Sequence, residues 1–195
     1  MIKSATTKYI IINHGFMGSN IENWFPYVKE KIDDDSHQVI IPQYPIDKEH
    51  QFYDFWERVL DQYNSFGYIN SNTIMVGHSS GAAFTIKYIL NIKIKVDKLI
   101  LVSGFNNYYA ENEDQYHSMV NKSMYVDDNM IKEVKHYCNE IIVIYGNDDP
   151  YIPQETFHKL ATQLGAKEVI ITNGGHLNGS AGFNKFSKIL EYIKD

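Results

Sequence analysis

Two adjacent serines between glycines are the residues of this sequence best placed to do chemistry. The stretch Gly77-His78-Ser79-Ser80-Gly81 matches the pattern G-x-S-x-G, with Ser79 at its centre. In this pattern the serine lies on a strained turn from a strand into a helix, and small residues two positions away leave room for the turn. Ser80 has the bulky His78 two positions before it, so Ser79 is the predicted nucleophile.

A glycine-rich turn with a helix-capping serine would produce the same letters, so this short pattern alone does not establish a nucleophile. The flanking sequence favours the catalytic interpretation, because an apolar run at 73–76 predicts a strand and the run at 82–90 predicts a helix. A serine hydroxyl becomes a good nucleophile only when a base takes its proton and an acid holds that base. The interpretation therefore depends on finding both partners.

An aspartate pair and a histidine follow later in the sequence, each just after an apolar run. These are Asp148, Asp149 and His176. The order serine, aspartate, histidine is that of α/β-hydrolases. Because the carboxyl ends of strands in an open α/β sheet line one crevice, we expect the aspartate and the histidine to meet Ser79 there.

The position in its loop makes Asp149 the predicted acid. Asp149 lies at the apex of the segment from Gly146 to Pro153. Asp148 is the alternative acid; if it is not the acid, it could bond nearby backbone or face solvent. A turn before proline would also account for an aspartate here. His176 stands between Gly-Gly and a polar loop, so it is the predicted base, with a plain turn residue as the alternative.

Attack on a carbonyl places negative charge on its oxygen, and N–H donors must stabilise that charge. The backbone N–H of Ser80, at the start of the predicted helix, is one predicted donor. The turn His14-Gly15-Phe16-Met17-Gly18 follows the first apolar run, and the Phe16 N–H is the second predicted donor. A phosphate-binding turn is the alternative, but neither common glycine-rich phosphate motif is present.

Six short runs rich in isoleucine and valine predict strands buried on both faces of a parallel sheet. Stretches with apolar residues at steps of three and four lie between them and predict helices that cover the sheet. Strand alternating with helix predicts an α/β fold, a three-layer α/β/α sandwich with a mostly parallel sheet. The predicted strands are 9–12, 38–42, 73–76, 98–102, 140–145 and 168–172.

The length fits one domain over residues 1–195. The polar and aromatic-rich segment 105–126 is the least regular part of the sequence. It is too short for a cap domain, so we expect a loop or short helices over the site and no large lid. Aromatic residues near the loops of the predicted site could line an acyl pocket, or could only pack against their neighbours. They are Phe16, Phe105, Tyr108, Tyr109 and Tyr151.

Composition excludes several classes of function. The net charge of −6 argues against a nucleic-acid partner. The single cysteine, Cys138, permits no internal disulfide. No apolar run is long enough for a signal peptide or a membrane span, so we expect a cytoplasmic protein without a membrane partner. The other histidines considered match no metal motif and are predicted to be solvated, namely His37, His50, His117, His136 and His158.

Five stretches resemble the small serine hydrolases of the retinoblastoma-binding protein 9 and YdeN type, within the α/β-hydrolase superfamily. They are INHGFMGS, MVGHSSGAA, LILVSGF, YGNDDPYIP and NGGHLNGSAGF, and they span the chain in order from Ile12 to Phe183. The resemblance implies an α/β-hydrolase fold without a large lid and the triad Ser79, Asp149 and His176. It does not by itself predict a protein partner.

The predicted function is hydrolysis of a small ester or amide through an acyl-enzyme, with a small-molecule acyl substrate and no metal or organic cofactor. A carboxylesterase-like activity is preferred. A peptidase or thioesterase with the same triad is one alternative, since the sequence does not show which leaving group fits. A non-catalytic protein-binding scaffold on a hydrolase fold is the other, and it would require a vestigial triad.

Overall fold

A computed structural model describes residues 7–108 and 114–194. Six parallel strands form one sheet in the order β2-β1-β3-β4-β5-β6. The bounds are β1 Lys8–Asn13, β2 His37–Ile40, β3 Thr73–His78, β4 Val96–Val102, β5 Cys138–Gly146 and β6 Lys167–Ile171. All six overlap the predicted runs. The expectation of burial on both faces is wrong for β6, an edge strand in which no residue is buried and Ile170 is 48% exposed.

Helices cover both faces of the sheet. The bounds are α1 Phe25–Ile32, α2 Tyr53–Ser65, α3 Ser80–Ile92, α4 Gln115–Met124, α5 Gln154–Leu164 and α6 Ser187–Lys194, with short 3-10 helices at Ile131–His136 and Gly179–Ala181. Side chains of α2, α3, α4 and α5 share one apolar cluster with alternate strand residues. Side chains of α1 and α6 share a second cluster with the other strand residues.

The alternation of neighbouring residues in β1 shows how the two cores are separated. Ile11 packs in the cluster of α2 to α5, whereas Ile10 and Ile12 pack in the cluster of α1 and α6. Successive side chains of a strand point to opposite faces, so one apolar run supplies both layers. This arrangement confirms the predicted three-layer α/β/α sandwich, and its sheet is parallel throughout the described residues.

The chain between β4 and β5 departs from the sequence prediction in detail. Its described part holds α4, which lies in the segment 105–126 where a loop or short helices were expected, and the 3-10 helix at 131–136, which was not predicted. Asp114 caps α4, because its side chain accepts hydrogen bonds from the backbone N–H groups of Tyr116 and His117. Tyr109, one of the aromatics named from the sequence, lies outside the described residues. The described part is one helix and one short turn of helix, not a lid domain.

The last helix begins later than its apolar pattern indicated. Periodicity ran from Phe183, but α6 starts at Ser187. Asn178 bonds the N–H of Ala181, and Gly182 has a φ of 86°, so the backbone turns here before the helix can begin. Periodic apolar residues can therefore pack on the sheet from a loop as well as from a helix.

Within residues 7–108 and 114–194, no helix has the length and apolar character needed to cross a membrane. The same described residues contain no cluster of three or more side chains suited to holding a metal ion.

Candidate active site

Ser79 lies on the turn that joins β3 to α3. Its φ of 56° and ψ of −130° place a non-glycine residue in a strained backbone region. A Cβ at Gly77 would lie 2.6 Å from the Cα of Ala82, and a Cβ at Gly81 would collide with the backbone oxygen of His14. The small residues that the sequence pattern required are therefore needed for contacts with neighbouring backbone.

The loop after β1 packs directly against this serine. A Cβ at Gly15 would lie 2.9 Å from the Cβ of Ser79 and 3.4 Å from its Oγ. His14 is buried and fixes the loop, since its Nδ1 contacts the Gly15 carbonyl at 2.9 Å and its Nε2 accepts from the Tyr44 N–H at 3.1 Å. Burial lowers the pKa of His14 to about 4, so the ring is neutral at neutral pH, with its proton on Nδ1.

Asp149 and His176 are in direct contact. The carboxylate Oδ2 lies 2.7 Å from the imidazole Nδ1, and the two side chains are 1% and 9% exposed. The other carboxylate oxygen, Oδ1, accepts the N–H groups of Tyr151 and Ile152 at 2.9 and 3.1 Å. Both oxygens of Asp149 thus have fixed partners, and the partner of Oδ2 is the predicted base.

Asp148 has a different role. Its Oδ1 accepts the backbone N–H of Gly175 at 2.8 Å, one residue before His176. It makes no recorded contact with the imidazole in the described part of the chain. Asp148 therefore ties the loop after β5 to the loop after β6, which is the backbone role that the sequence left as its alternative.

Ser79 and His176 border the same two cavities, together with Phe16. No hydrogen bond joins the Ser79 hydroxyl to the His176 imidazole among the described residues. Such bonds are often long in the absence of substrate and shorten in the bound complex. The structure thus brings the predicted acid and the predicted base into contact, and the predicted nucleophile borders the same crevice as that base.

The second predicted oxyanion donor has a partner that the sequence did not indicate. The Phe16 N–H donates to the Oγ of Ser80 at 2.7 Å, and Ser80 is 1% exposed. The Ser80 backbone N–H lies in the first turn of α3, where N–H groups have no partner within the helix. The Ser80 side chain therefore connects the two backbone segments predicted to bind the oxyanion.

His78 is a second buried histidine that the sequence analysis left without a role. Its ring contacts the backbone carbonyl of His176 through Nε2 at 3.1 Å. Burial is the main cause that lowers the pKa of His78 to about 3, and the nearby His176 lowers it further. The Nε2–H group of a neutral His78 thus donates a hydrogen bond to the backbone carbonyl of the predicted base and helps to fix its position.

His117 corrects the sequence prediction that it is solvated. Its ring stacks on Phe16, with 3.9 Å between ring centroids and 20° between planes. It also lines one of the two cavities beside Ser79. Nothing in its local sequence signals this, because the contact joins α4 to the distant loop after β1.

The two cavities differ in character. We call one the polar cavity; it has a volume of about 610 Å³ and is bordered, besides the shared residues, by Glu22, Asn23, Asn178, Ser180 and Asn184. We call the other the apolar cavity; it has a volume of about 420 Å³ and is bordered by Phe105, Tyr108, His117, Tyr151 and Ile152 among others. Phe16, Ser79 and His176 lie where the two cavities meet.

Known proteins match this chain over most of its length. The family model described as Serine hydrolase matches residues 10–195. The YdeN protein of Bacillus subtilis (strain 168) is 26% identical over 191 residues, covering 96% of this chain and 95% of that protein. The serine hydrolase RBBP9 of Rattus norvegicus is 25% identical over 125 residues, covering 64% of this chain and 61% of that protein.

Solved structures show the same fold. The crystal structure of the B. subtilis ydeN gene product superimposes with a TM-score of 0.83 at 24% identity, covering 96% of this chain and 97% of that one. The carboxylesterase CesB of Bacillus subtilis has a TM-score of 0.63 at 13% identity, covering 97% of this chain and 85% of that one. At these identities the likeness concerns the fold.

Proposed function

This chain belongs to the serine hydrolase family, and we propose that it hydrolyses a small ester or amide through an acyl-enzyme formed on Ser79. The observation that carries the proposal is the 2.7 Å contact between Asp149 Oδ2 and His176 Nδ1. That contact orients the imidazole in a crevice that Ser79, on its strained turn between strand and helix, also borders. The proposed triad is Ser79, His176 and Asp149.

The first half-reaction forms the acyl-enzyme. The Ser79 Oγ attacks the acyl carbon while its proton passes to Nε2 of His176. Asp149 holds the Nδ1 proton and stabilises the imidazolium that results. The backbone N–H of Ser80 stabilises the oxyanion, and the Phe16 N–H becomes a second donor when it exchanges its bond to the Ser80 hydroxyl for a bond to the oxyanion. The bond to the leaving group then breaks, and that group takes the proton from His176.

The second half-reaction releases the acid. A water molecule attacks the acyl carbon, gives its proton to His176, and the Ser79 Oγ leaves and recovers a proton. Every step uses residues of this chain and water, so the proposal needs neither metal nor organic cofactor. A carboxylesterase-like reaction on a small-molecule acyl substrate is our preferred form, and the cytoplasm is the location we expect from the sequence. A protein partner is not part of the proposal.

A fluorophosphonate probe tests the nucleophile directly. We expect the wild-type protein to react with the probe and Ser79→Ala to lose the reaction, since the probe needs an activated hydroxyl. Ser65→Ala is the matched control, because Ser65 is an exposed residue at the end of α2 whose hydroxyl bonds only the Gln62 carbonyl. It should react like the wild type. The measurement is in-gel fluorescence, with the labelled peptide identified by mass spectrometry.

Strong labelling of Ser79→Ala would show that another residue is the nucleophile. Absence of labelling and of hydrolysis in the folded wild-type protein would favour the scaffold alternative. A panel of butyryl esters, thioesters and amides then distinguishes esterase from thioesterase or peptidase. We expect the esters to give the highest kcat/KM.

A further inference from the structure

The nucleophile lies between two cavities of opposite chemistry, and this contrast bears on the substrate. Phe16, Ser79 and His176 border both the polar and the apolar cavity. A scissile bond held at the Ser79 Oγ would therefore direct its two substituents into different surroundings. The two sides of the bond are then expected to differ in polarity as well.

The apolar cavity suits an acyl chain. The stacked pair Phe16 and His117 forms one part of its lining, and Phe105 and Tyr108 form an edge-on pair in another, with ring centroids 6.1 Å apart. Tyr151 packs edge-on against the His176 ring at 5.1 Å. These rings cover an apolar surface beside the predicted base. A volume of about 420 Å³ accommodates a short acyl group without a deep tunnel.

The polar cavity offers hydrogen-bond donors that no neighbour uses. Asn23 Oδ1 accepts the Gly179 N–H at 2.8 Å, and Asn178 Oδ1 accepts the Ala181 N–H at 3.0 Å. Their oxygens are thereby oriented, and in the described residues no hydrogen bond uses either Nδ2 group. A Cβ at Gly179 would lie 3.1 Å from Asn184 Oδ1, so the third amide lies over the same glycine.

Charge in the polar cavity disfavours an anionic ligand, and its amide N–H donors need acceptor oxygens, which a simple cation does not offer. Among the residues bordering either cavity in the described part of the chain, none is lysine or arginine. Glu22 is the one carboxylate on this lining, and it is solvent-exposed. An anionic leaving group would find no cation to pair with and would meet Glu22. Met17 and Ile21 also border the cavity, but they are 54% and 78% exposed, whereas Asn23 and Asn178 are half-buried.

We propose that the polar cavity binds a neutral, polyhydroxylated leaving group, while the apolar cavity holds a short acyl chain. The preferred substrate class is then an ester of a short fatty acid with a polyol. This inference rests on the proposed function, because it assigns the two sides of the bond that Ser79 cleaves. In the reaction, the acyl–oxygen bond breaks and the polyol oxygen takes the proton from Nε2 of His176.

Four esters with one shared acyl group test the proposal. They are the butyrates of glycerol, n-propanol, choline and glycolate, which carry a polyol, an apolar, a cationic and an anionic leaving group. We expect kcat/KM for the glycerol ester to exceed that for the propyl ester by about tenfold, as two additional hydrogen bonds would give. The choline and glycolate esters should fall below the glycerol ester, and the glycolate ester should be the poorest substrate.

Variants link the preference to the cavity. Asn184→Leu keeps a similar volume and removes the amide, so the ratio of kcat/KM for glycerol and propyl esters should fall at least threefold. Asn72→Leu is the matched control; Asn72 is exposed just before β3, at the opposite end of the sheet from Ser79. Its ratio should equal that of the wild type. Gly179→Ala, which places a methyl group against the amide of Asn184, should lower the ratio as Asn184→Leu does.

The outcomes separate this inference from the proposed function. Hydrolysis of p-nitrophenyl butyrate with no preference for the glycerol ester overturns the substrate assignment and leaves the serine hydrolase proposal intact. A choline ester that is cleaved faster than the glycerol ester also overturns it, because the cavity would then select a cation. No hydrolysis of p-nitrophenyl butyrate by the folded protein overturns both.

Discussion

At the scale of single residues, two neighbouring aspartates have separate tasks. Asp149 holds the imidazole of His176 through Oδ2, whereas Asp148 holds the backbone N–H of Gly175 through Oδ1. Asp149→Asn replaces an acceptor of the imidazole proton by an amide that favours the wrong tautomer, so kcat should fall by about 10⁴-fold. Asp148→Asn keeps an oxygen that can accept the same N–H, and kcat should fall by less than about tenfold. Steady-state kinetics on p-nitrophenyl butyrate measure both.

The reverse result, an inactive Asp148→Asn beside an active Asp149→Asn, would show that the triad has the other carboxylate.

Sequence order could predict the residue types, because serine, aspartate and histidine each follow a strand. It could not predict how the Ser80 side chain meets the Phe16 N–H, since this contact joins residues 64 positions apart. The roles of His14 and His78 were missed for the same reason, as each depends on burial that no local pattern shows.

At the scale of elements, the strands were predicted well and the loops were not. Runs of isoleucine and valine identify the strands, and all six strands overlap their predicted runs, although β6 at the sheet edge is not buried as predicted. The 3-10 helix at 131–136 and the delayed start of α6 were missed. Both depend on turns in the backbone that apolar periodicity does not report. The two cavities could not be predicted either, because their linings combine residues from several loops.

The tight approach of α3 to β1 gives a prediction at the same scale. A Cβ at Gly81 would collide with the backbone oxygens of Asn13 and His14, neither of which can move without disturbing the loop that carries Phe16. Gly81→Ala should therefore lower the free energy of unfolding by about 3 kcal/mol and abolish most activity. Urea denaturation and p-nitrophenyl butyrate kinetics measure the two effects.

Gly67→Ala is the control for this substitution. A Cβ at Gly67 would have no atom within 4 Å, but the φ of Gly67 is 76°. Alanine there therefore costs only backbone strain and should lower the free energy of unfolding by about 1 kcal/mol. The variant should keep full activity. Gly81 lies in α3 and has no positive φ, so equal stability losses for the two variants would show that small shifts relieve its contact with the backbone after β1.

At the scale of the whole molecule, two buried neutral histidines link stability to pH. Burial lowers the pKa of His14 to about 4 and that of His78 to about 3. In the unfolded chain a histidine has a pKa of about 6.5, so the unfolded state binds more protons as pH falls below that value. Stability is then fully present above pH 6.5 and is lost as the pH falls towards 4.

Each buried histidine adds at most about 1.4 kcal/mol per pH unit to the slope of the free energy of unfolding with pH. The two histidines together therefore limit this slope to about 2.8 kcal/mol per pH unit between pH 6 and 4.5. Urea denaturation at steps of half a pH unit measures the slope. His78→Phe places an apolar ring among Trp24 and Phe25, whose centroids lie 6.1 and 6.0 Å from the His78 ring, and should halve the slope. His136→Asn changes a histidine that is 60% exposed and should leave the slope as it is. A free energy of unfolding that is constant from pH 7 to 4.5 in the wild type would show that His14 and His78 accept protons in the folded protein. Contacts other than these two neutral rings would then have to fix the backbone at Gly15 and His176.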